Sequence, residues 1–455
     1  MRRLPHSRNT DAAIVDHRVL PCIRWLCEDE APPARVSDCA YAKTGVLVKN
    51  RKLLIIFAVV LVDMLSFSIV LPLLPYLAKS IGATATQIGL LTAAYPLAQV
   101  FAAPLLGRLS DTVGRKPVLI LSILGTAGGF VVLAVARFLP VLFISRFVDG
   151  VTGGNISVAQ AYIADVTDPK DRGKALGMIG AAFGLGFILG PVTGGLLSGI
   201  SYSLPAWVGA GLALLNAAAV AFLLPESLSA DDRARLAARE RRHAFDPRAL
   251  LDALRHKRVG PLLWIRLATG LSFSIFETSF ALWALAALGL TSQANGMVLG
   301  YVGVLSVFVQ AFLIGRLTAR FSDDRLLVFS LALAGAALVL WGFVPNLPLL
   351  IVLMPALSVG LAVTNTITTS ALSKAVHHDE VGGILGLQTS IQSFTRIPAP
   401  IVAGYLIERV SVWSPGLTGG LITLAMVPVA WATLCVRPGN RGCKEQSETP
   451  EGTAS

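Results

Sequence analysis

The stretch that decides the fold reads GRLSDTVGRKP over residues 107–117, and it lies between two long apolar segments. Gly107 and Gly114 permit a tight, closely packed turn. Asp111 is placed to accept hydrogen bonds from exposed amides at the N-terminus of a neighbouring helix, whose dipole favours a carboxylate. Arg115 and Lys116 are expected to hold the turn at the inner surface of a membrane. The pattern predicts a sharp basic turn between two membrane-spanning helices; an ordinary basic turn is the simpler alternative.

The composition agrees with a membrane location. The chain has 455 residues, of which 54% are hydrophobic and only 14% are charged. A soluble domain carries about 25% charged residues because its surface faces water, and its core stops growing before it hides this much apolar side chain. A soluble globular protein, a disordered chain and a disulfide scaffold are therefore excluded. The composition predicts a polytopic membrane protein.

A helix needs about 20 apolar residues to cross about 30 Å of hydrocarbon. Twelve segments of the chain meet this requirement. They are 53–76, 87–107, 118–136, 140–164, 174–197, 206–224, 261–286, 296–317, 326–344, 347–370, 382–406 and 415–436. Gly, Pro, Ser and Thr interrupt several of them, which favours helices packed on one another over isolated lipid-facing anchors.

The net charge of +11 is a topology signal and does not indicate nucleic-acid binding. Of the 38 Lys and Arg residues, 32 fall in the segments that share one side with the N-terminus, and three fall in the opposite loops. Because Lys and Arg accumulate on the cytoplasmic side, both termini are predicted to be cytoplasmic.

The longest interior loop divides the spans six and six. The predicted organisation is a disordered cytoplasmic extension (1–51), an N-terminal six-helix bundle (52–225), a cytoplasmic loop with a short surface helix (226–259), a C-terminal six-helix bundle (260–436) and a cytoplasmic tail (437–455). A translation start near Val46 or Val48 is the alternative for the extension. The letters GRL recur at 107–109 and 315–317, and such paired halves are typical of a rocking secondary transporter.

A second motif lies in the fifth span. Gly186, Gly190 and Gly194 recur at every fourth residue, so they form one face of a helix. This face lets another helix approach closely, and Pro191 removes one backbone donor and bends the span. Plain helix packing is the alternative interpretation.

Together these motifs resemble those of the major facilitator superfamily. The turn at 107–117 is similar to the family's signature loop between the second and third spans, and 186–195 resembles the antiporter motif of its drug:proton exporters. Residues 63–75 resemble its first-helix motif, and 146–150 resemble the motif around an intramembrane arginine. The stretch 89–195 is most similar to the tetracycline exporters and their multidrug relatives.

The resemblance implies an all-α integral membrane protein whose twelve helices form two six-helix bundles. It implies a functional monomer in a bacterial inner membrane that exchanges a small-molecule substrate for protons, with no enzyme activity, cofactor or metal. Conformational gating would then involve Gly107, Asp111, Gly114, Arg115, Lys116, Gly186, Gly190, Pro191 and Gly194. Tetracycline itself is not favoured, because the acids that its exporters carry in the third and ninth spans are missing here. The position equivalent to Asp111 in the second half is Ala319.

Ionisable residues inside the spans are the candidates for proton coupling, because a charge in mid-membrane costs about 3 kcal/mol or more. They are Asp63, Arg146, Asp149, Glu277 and Arg396. Arg146 and Asp149 lie three residues apart and can pair locally, and Asp63 competes for the same arginine. A buried carboxylate binds a proton more readily away from a cation than beside one, so a change of partner would couple protons to conformation. A static ion pair is the alternative.

In the second half, Glu277 and Arg396 lie at comparable depths, and Gln388, Gln392 and Arg396 form one polar stripe. An acid beside aromatic rings suits a cationic or amphipathic guest. The predicted substrate-binding residues are Phe276, Glu277, Phe280, Trp283, Gln388 and Gln392. Core packing is the alternative for the aromatic residues. Asn365 is a further candidate for the cavity wall, whereas Arg266, near the start of its span, is expected to extend to the membrane interface.

The leading interpretation is proton-coupled efflux of drug-like or amphipathic molecules by alternating access. Proton-coupled uptake or facilitated diffusion of a small metabolite is the alternative, which the proline-bent glycine face of the fifth span disfavours. No Gly-rich nucleotide-binding motif is present, which argues against ATP-driven transport. A polytopic membrane enzyme is a remote alternative, since the only adjacent histidines, at 377–378, belong to a short polar turn.

Overall fold

The computed structural model describes residues 36–168, 171–238, 259–376 and 381–432. Four predicted features therefore lie wholly or partly outside the described residues: residues 1–35 of the extension, the interior loop after residue 238, the histidine pair at 377–378 and the tail.

The first half of the chain consists of α-helices joined by short turns. They are α1 (Val36–Val70), α2 (Leu74–Ser80), α3 (Ala85–Val113), α4 (Arg115–Val135), α5 (Leu139–Thr152), α6 (Asn155–Val166), α7 (Arg172–Ser198) and α8 (Leu204–Leu223). The part of α1 that is apolar enough to cross a membrane continues through α2 over Lys52–Ser80. In the charged loop, α9 (Ala230–Ala238) is the short helix that the sequence predicts.

The second half repeats this all-helical construction. Its helices are α10 (Gly260–Leu288), α11 (Ser292–Phe308), α12 (Ile314–Arg320), α13 (Asp323–Gly342), α14 (Leu347–Lys374), α15 (Val381–Thr395), α16 (Pro398–Arg409), α17 (Ser414–Leu424) and α18 (Met426–Ala430). One π-helical turn joins α11 to α12, so the two form one continuous apolar span.

Nine continuous helical segments in the described part of the chain are long and apolar enough to cross a membrane. The other three predicted spans, 140–164, 382–406 and 415–436, each appear as a pair of shorter helices. Two adjacent glycines at 153–154 separate the first pair. Pro398 begins the second helix of the next pair, because proline lacks an N–H and disfavours helix at the preceding residue.

Each half has its own apolar core. In the first half α4 packs against α5 and α8, and in the second α13 packs against α14 and α17. The two halves meet where α7 packs along α11 and α3 packs along α16. We call the end of the bundle that carries the turn at Gly114 the basic end, and the end that carries the turn at Gly82 the far end.

Several helices begin at the far end with side-chain caps. Thr84 and Gln87 form a complete capping box at the start of α3. Thr291 caps α11 by accepting a hydrogen bond from the Ala294 amide, and Asn346 caps α14 in the same way. These caps satisfy amides that a helix N-terminus leaves without an intrahelical partner.

Candidate functional site

A buried ion pair lies inside the first half. Nη1 of Arg146 lies 3.2 Å from Oδ2 of Asp149, one turn later on α5, and both side chains are almost completely buried. The Phe130 ring covers the guanidinium at 5.6 Å from its centroid. Local helical spacing therefore brings this pair together as expected.

Asp63 has a different partner from the one considered in the sequence. Its Oδ2 accepts a hydrogen bond of 2.6 Å from Nδ2 of Asn155, and both residues are buried. Asn155 is the first residue of α6, directly after the helix break. Asn155 is not among the site residues predicted from the sequence; the available signal was an amide side chain directly after two glycines in mid-span.

The glycines beside the pair make room for a helix. A Cβ on Gly150 would lie 2.5 Å from the backbone oxygen of Tyr95 on α3. Gln99, one turn further along α3, donates to the Gly153 carbonyl oxygen at 2.6 Å and to the Tyr95 hydroxyl at 3.0 Å. The space next to Asp149 is thus occupied by polar side chains of α3.

The second half contains a looser acid–base pair. Nη2 of Arg396 lies 3.8 Å from Oε2 of Glu277. The Arg396 side chain is 38% exposed and the Glu277 side chain 17%, so this pair is more open than its counterpart in the first half. The structure brings together the two residues that the sequence placed at one depth.

The rest of the polar stripe binds to neighbouring helices. Gln388 donates to Oγ1 of Thr369 at 2.8 Å, and Oε1 of Gln392 accepts from Arg266 at 2.6 Å. Asn365 accepts a second hydrogen bond from the same guanidinium. The expectation that Arg266 extends to the interface is wrong: the residue is only 8% exposed, because two amide side chains hold it between α10, α14 and α15.

The three aromatic residues proposed for substrate binding lie in the core of the second half. Phe276, Phe280 and Trp283 pack around Trp341, with ring centroids 4.9–6.1 Å apart, and all four are buried. Core packing accounts for this placement, and a part in substrate binding stays a prediction.

The basic turn is held by a carboxylate that is not among the residues predicted from the sequence. Glu226, just after α8, accepts hydrogen bonds from the Arg115 amide at 2.9 Å and the Lys116 amide at 3.1 Å. Gly114 has φ +121°, and a Cβ there would lie 2.5 Å from a Glu226 oxygen, so glycine is required. Gly107 differs from Gly114, because a Cβ there would contact nothing within 4 Å, so the close packing predicted at Gly107 is not observed. Glu226 therefore caps the N-terminus of α4.

The side chains of the turn form a compact ion-pair group. Nη1 of Arg115 lies 2.6 Å from Oδ1 of Asp111, and its Nε lies 3.0 Å from Oδ2 of Asp165. Ser227 donates to the same Asp165 oxygen. In this structure Asp111 thus pairs with Arg115, and the helix N-terminal amides predicted for Asp111 donate to Glu226. Ser227 and Glu226 join the segment after α8 to the turn.

The glycine face of α7 packs on α1. A Cβ on Gly186 would lie 2.8 Å from that of Met64, one on Gly190 would lie 2.3 Å from that of Ser68, and one on Gly194 would lie 2.2 Å from a backbone oxygen. The helix continues through Pro191, whose own carbonyl oxygen contacts α11. The predicted close approach of a second helix is therefore present.

Comparisons with known proteins decide the family. The sequence model of the Major Facilitator Superfamily matches residues 56–313 and 267–455. The chain belongs to the major facilitator superfamily. It is 31% identical over 410 residues to the class C tetracycline resistance protein of Escherichia coli, covering 84% of this chain and 98% of that protein. It is 30% identical over 379 residues to human solute carrier family 67 member A1, covering 81% and 88%.

A solved structure supports the fold. The human organic anion transporter MFSD10 superposes with a TM-score of 0.59 at 23% identity, covering 84% of this chain and 99% of that one. The family and the named relatives make this chain a multi-pass membrane transporter and not an enzyme, and its fold is the one that the motifs predict.

The two halves of this major facilitator protein are bonded to each other at the far end. The Tyr76 hydroxyl donates to the Leu290 carbonyl oxygen at 3.1 Å. The hydroxyl groups of Ser198 and Ser292 are 2.8 Å apart. One turn along α11 from Ser292, a Cβ on Gly296 would lie 2.3 Å from the Pro191 carbonyl oxygen, so α7 and α11 touch backbone to backbone. The far end is closed.

A charged contact completes the closure. Oε2 of Glu408, at the end of α16, accepts a hydrogen bond of 2.8 Å from the Thr86 amide in the first turn of α3. Hydrogen bonds from the Thr86 amide and from the Thr86 and Thr84 side chains lower the pKa of Glu408 below its ordinary value. A carboxylate from the second half thus supplements the cap of a helix in the first half.

Proposed function

We propose that this transporter exports drug-like or amphipathic small molecules in exchange for protons by alternating access. The observation that carries the proposal is the pair of acid–base clusters, one inside each half: Asp63 with Asn155 beside the Arg146–Asp149 pair, and Glu277 with Arg396. Isolated buried charge is costly in a membrane. Carboxylates that lie inside two halves which move relative to each other are suited to binding and releasing protons.

The proposal takes the basic end and both termini as cytoplasmic, because Lys and Arg accumulate on that side of a membrane. The state described here, closed at the far end, is then the one that admits substrate from the cytoplasm. The bundles 52–225 and 260–436 would rock about the α7–α11 and α3–α16 contacts. The protein would act as a monomer in a bacterial inner membrane.

Two features support export of drug-like compounds over uptake. The small residues of α7 let it pack closely on α1 and also contact α11 of the other half backbone to backbone at Gly296, as a seal between the halves requires. The chain also covers nearly the full length of a relative that is a tetracycline resistance protein. Because acids are missing from the third and ninth spans, the proposal is for drug-like substrates in general and does not specify tetracycline.

Inverted membrane vesicles test the proposal with a panel of cationic, neutral and anionic drug-like fluorophores. An exporter takes up its substrate when the lumen is acid, and adding that substrate collapses the proton gradient. Asp231→Asn, on the exposed face of α9, is the matched control for acid-to-amide variants. Uptake of a fluorophore only down its own gradient, without any proton movement, contradicts the proposal.

A further inference from the structure

Arg266 differs from the other buried arginines of the described residues, and from Arg396, in its partners. Arg115 pairs with two carboxylates, Arg146 with Asp149, and Arg396 with Glu277. Arg266 is buried like Arg115 and Arg146 and far more than Arg396, yet within the described parts of the chain its side-chain partners are two neutral amides. The described residues therefore do not neutralise the positive charge of Arg266.

The hydrogen bonds of this guanidinium leave donor capacity. Nη1 donates to Oδ1 of Asn365 and Nη2 to Oε1 of Gln392, while the buried Nε has no hydrogen-bond partner in the described structure. A guanidinium has five N–H donors in a planar fork that matches a carboxylate or phosphate. The amide oxygens fix the plane of this fork, but they supply no compensating charge.

The position of Arg266 suits a substrate group. Asn365 is an exposed residue and Gln392 is half-buried, so the guanidinium lies one side-chain layer below the surface. Arg266 and Glu277 are about three helical turns apart on one face of α10. Because Arg396 balances Glu277, the net charge of this polar face is positive.

We infer that Arg266 binds the anionic group of the transported molecule, so that the substrate class is amphipathic organic anions or zwitterions carrying a carboxylate or a similar oxyanion. This inference rests on the proposed function and deepens it. A charge-assisted, bidentate contact to a buried guanidinium is the strong kind of hydrogen bond. It would supply the compensating charge that the described protein does not.

The test compares two probes that differ in one charge: dansylglycine, an apolar fluorophore with a carboxylate, and its neutral methyl ester. Their binding to the purified full chain is measured by dansyl fluorescence in chloride-free buffer without a proton gradient. The wild type binds the acid more tightly than the ester. Arg266→Gln raises the dissociation constant of the acid by about tenfold or more and leaves that of the ester unchanged. The exposed control Arg320→Gln changes neither.

Asn365→Asp is a second variant that separates binding from folding. It places a carboxylate against Arg266, so the thermal stability rises because the buried charge is neutralised, while binding of the acid is lost and that of the ester is kept. A purely structural role for Arg266 predicts no such opposite changes.

Equal wild-type affinity for acid and ester, or binding of neither, overturns the inference. Displacement of dansylglycine by added chloride assigns the site to an inorganic anion and also overturns it. These affinities are equilibrium values measured without a proton gradient, so they do not depend on the result of the vesicle assay. Transport that is indifferent to protons would refute the proposed function and would leave the anion site intact.

Discussion

Gly296→Ala is expected to shift the transporter away from the state closed at the far end. The added Cβ would lie 2.3 Å from the Pro191 carbonyl oxygen, whereas an ordinary carbon–oxygen contact is about 3.5 Å. Because the obstacle is backbone, α7 and α11 must separate by about 1 Å. Overpacking of this kind costs about 1–3 kcal/mol, which corresponds to a change of roughly fivefold to 150-fold in a two-state equilibrium.

The cost applies only while the far end is closed, since the clash disappears when the halves separate there. Nitroxide labels at Lys79 and Val410, exposed far-end residues of the two halves, report this opening by electron–electron distance measurement after the five native cysteines are replaced. Gly296→Ala should move the population to longer distances. Gly180→Ala on α7 is the control, because a Cβ there meets nothing within 4 Å. Identical distance distributions for the two variants would refute the reasoning.

Three further changes have defined outcomes. Glu408→Gln should open the far end in the same label measurement. Because the pKa of Glu408 is lowered in the closed state, the contact is complete above the ordinary value of 4.5 and is lost as the pH falls through the lowered pKa. The wild type should therefore open in acid, and the variant should lack this acid-induced opening. Glu226→Ala removes the cap of α4 and should lower the free energy of unfolding by about 1 kcal/mol in denaturant titrations, whereas Asp231→Asn should leave it unchanged. Glu277→Gln should abolish or narrow export of the fluorophore panel, and unchanged export of every compound would remove Glu277 from the mechanism.

Features that depend on short-range periodicity could be predicted from the sequence. Span positions follow from apolar length, and a described helix or helix pair lies at each of the twelve. Arg146 and Asp149 pair because three residues separate them on one helix, and the glycines of α7 share a face because four residues separate them. In each case one helix's own geometry decides the outcome.

Features that depend on packing between distant segments could not be predicted. Glu226 caps α4 from more than a hundred residues away, and Asn155 reaches Asp63 from another helix. Whether Arg266 extends to the interface or is held by Asn365 depends on how α10, α14 and α15 pack, which residue spacing does not determine. The same dependence decides the surroundings of the aromatic residues Phe276, Phe280 and Trp283, which pack around Trp341, and their part in substrate binding stays a prediction.

Measuring substrate-driven proton movement in proteoliposomes decides whether the buried acids take up and release protons as the substrate site opens alternately to the two sides of the membrane. With a transported fluorophore, the wild type should collapse an imposed pH gradient and accumulate substrate in proportion to it. Asp63→Asn should retain substrate exchange between the two sides of the membrane but move no protons, because the amide cannot titrate. Accumulation by the wild type that is indifferent to both the pH gradient and the membrane voltage would contradict the proposal.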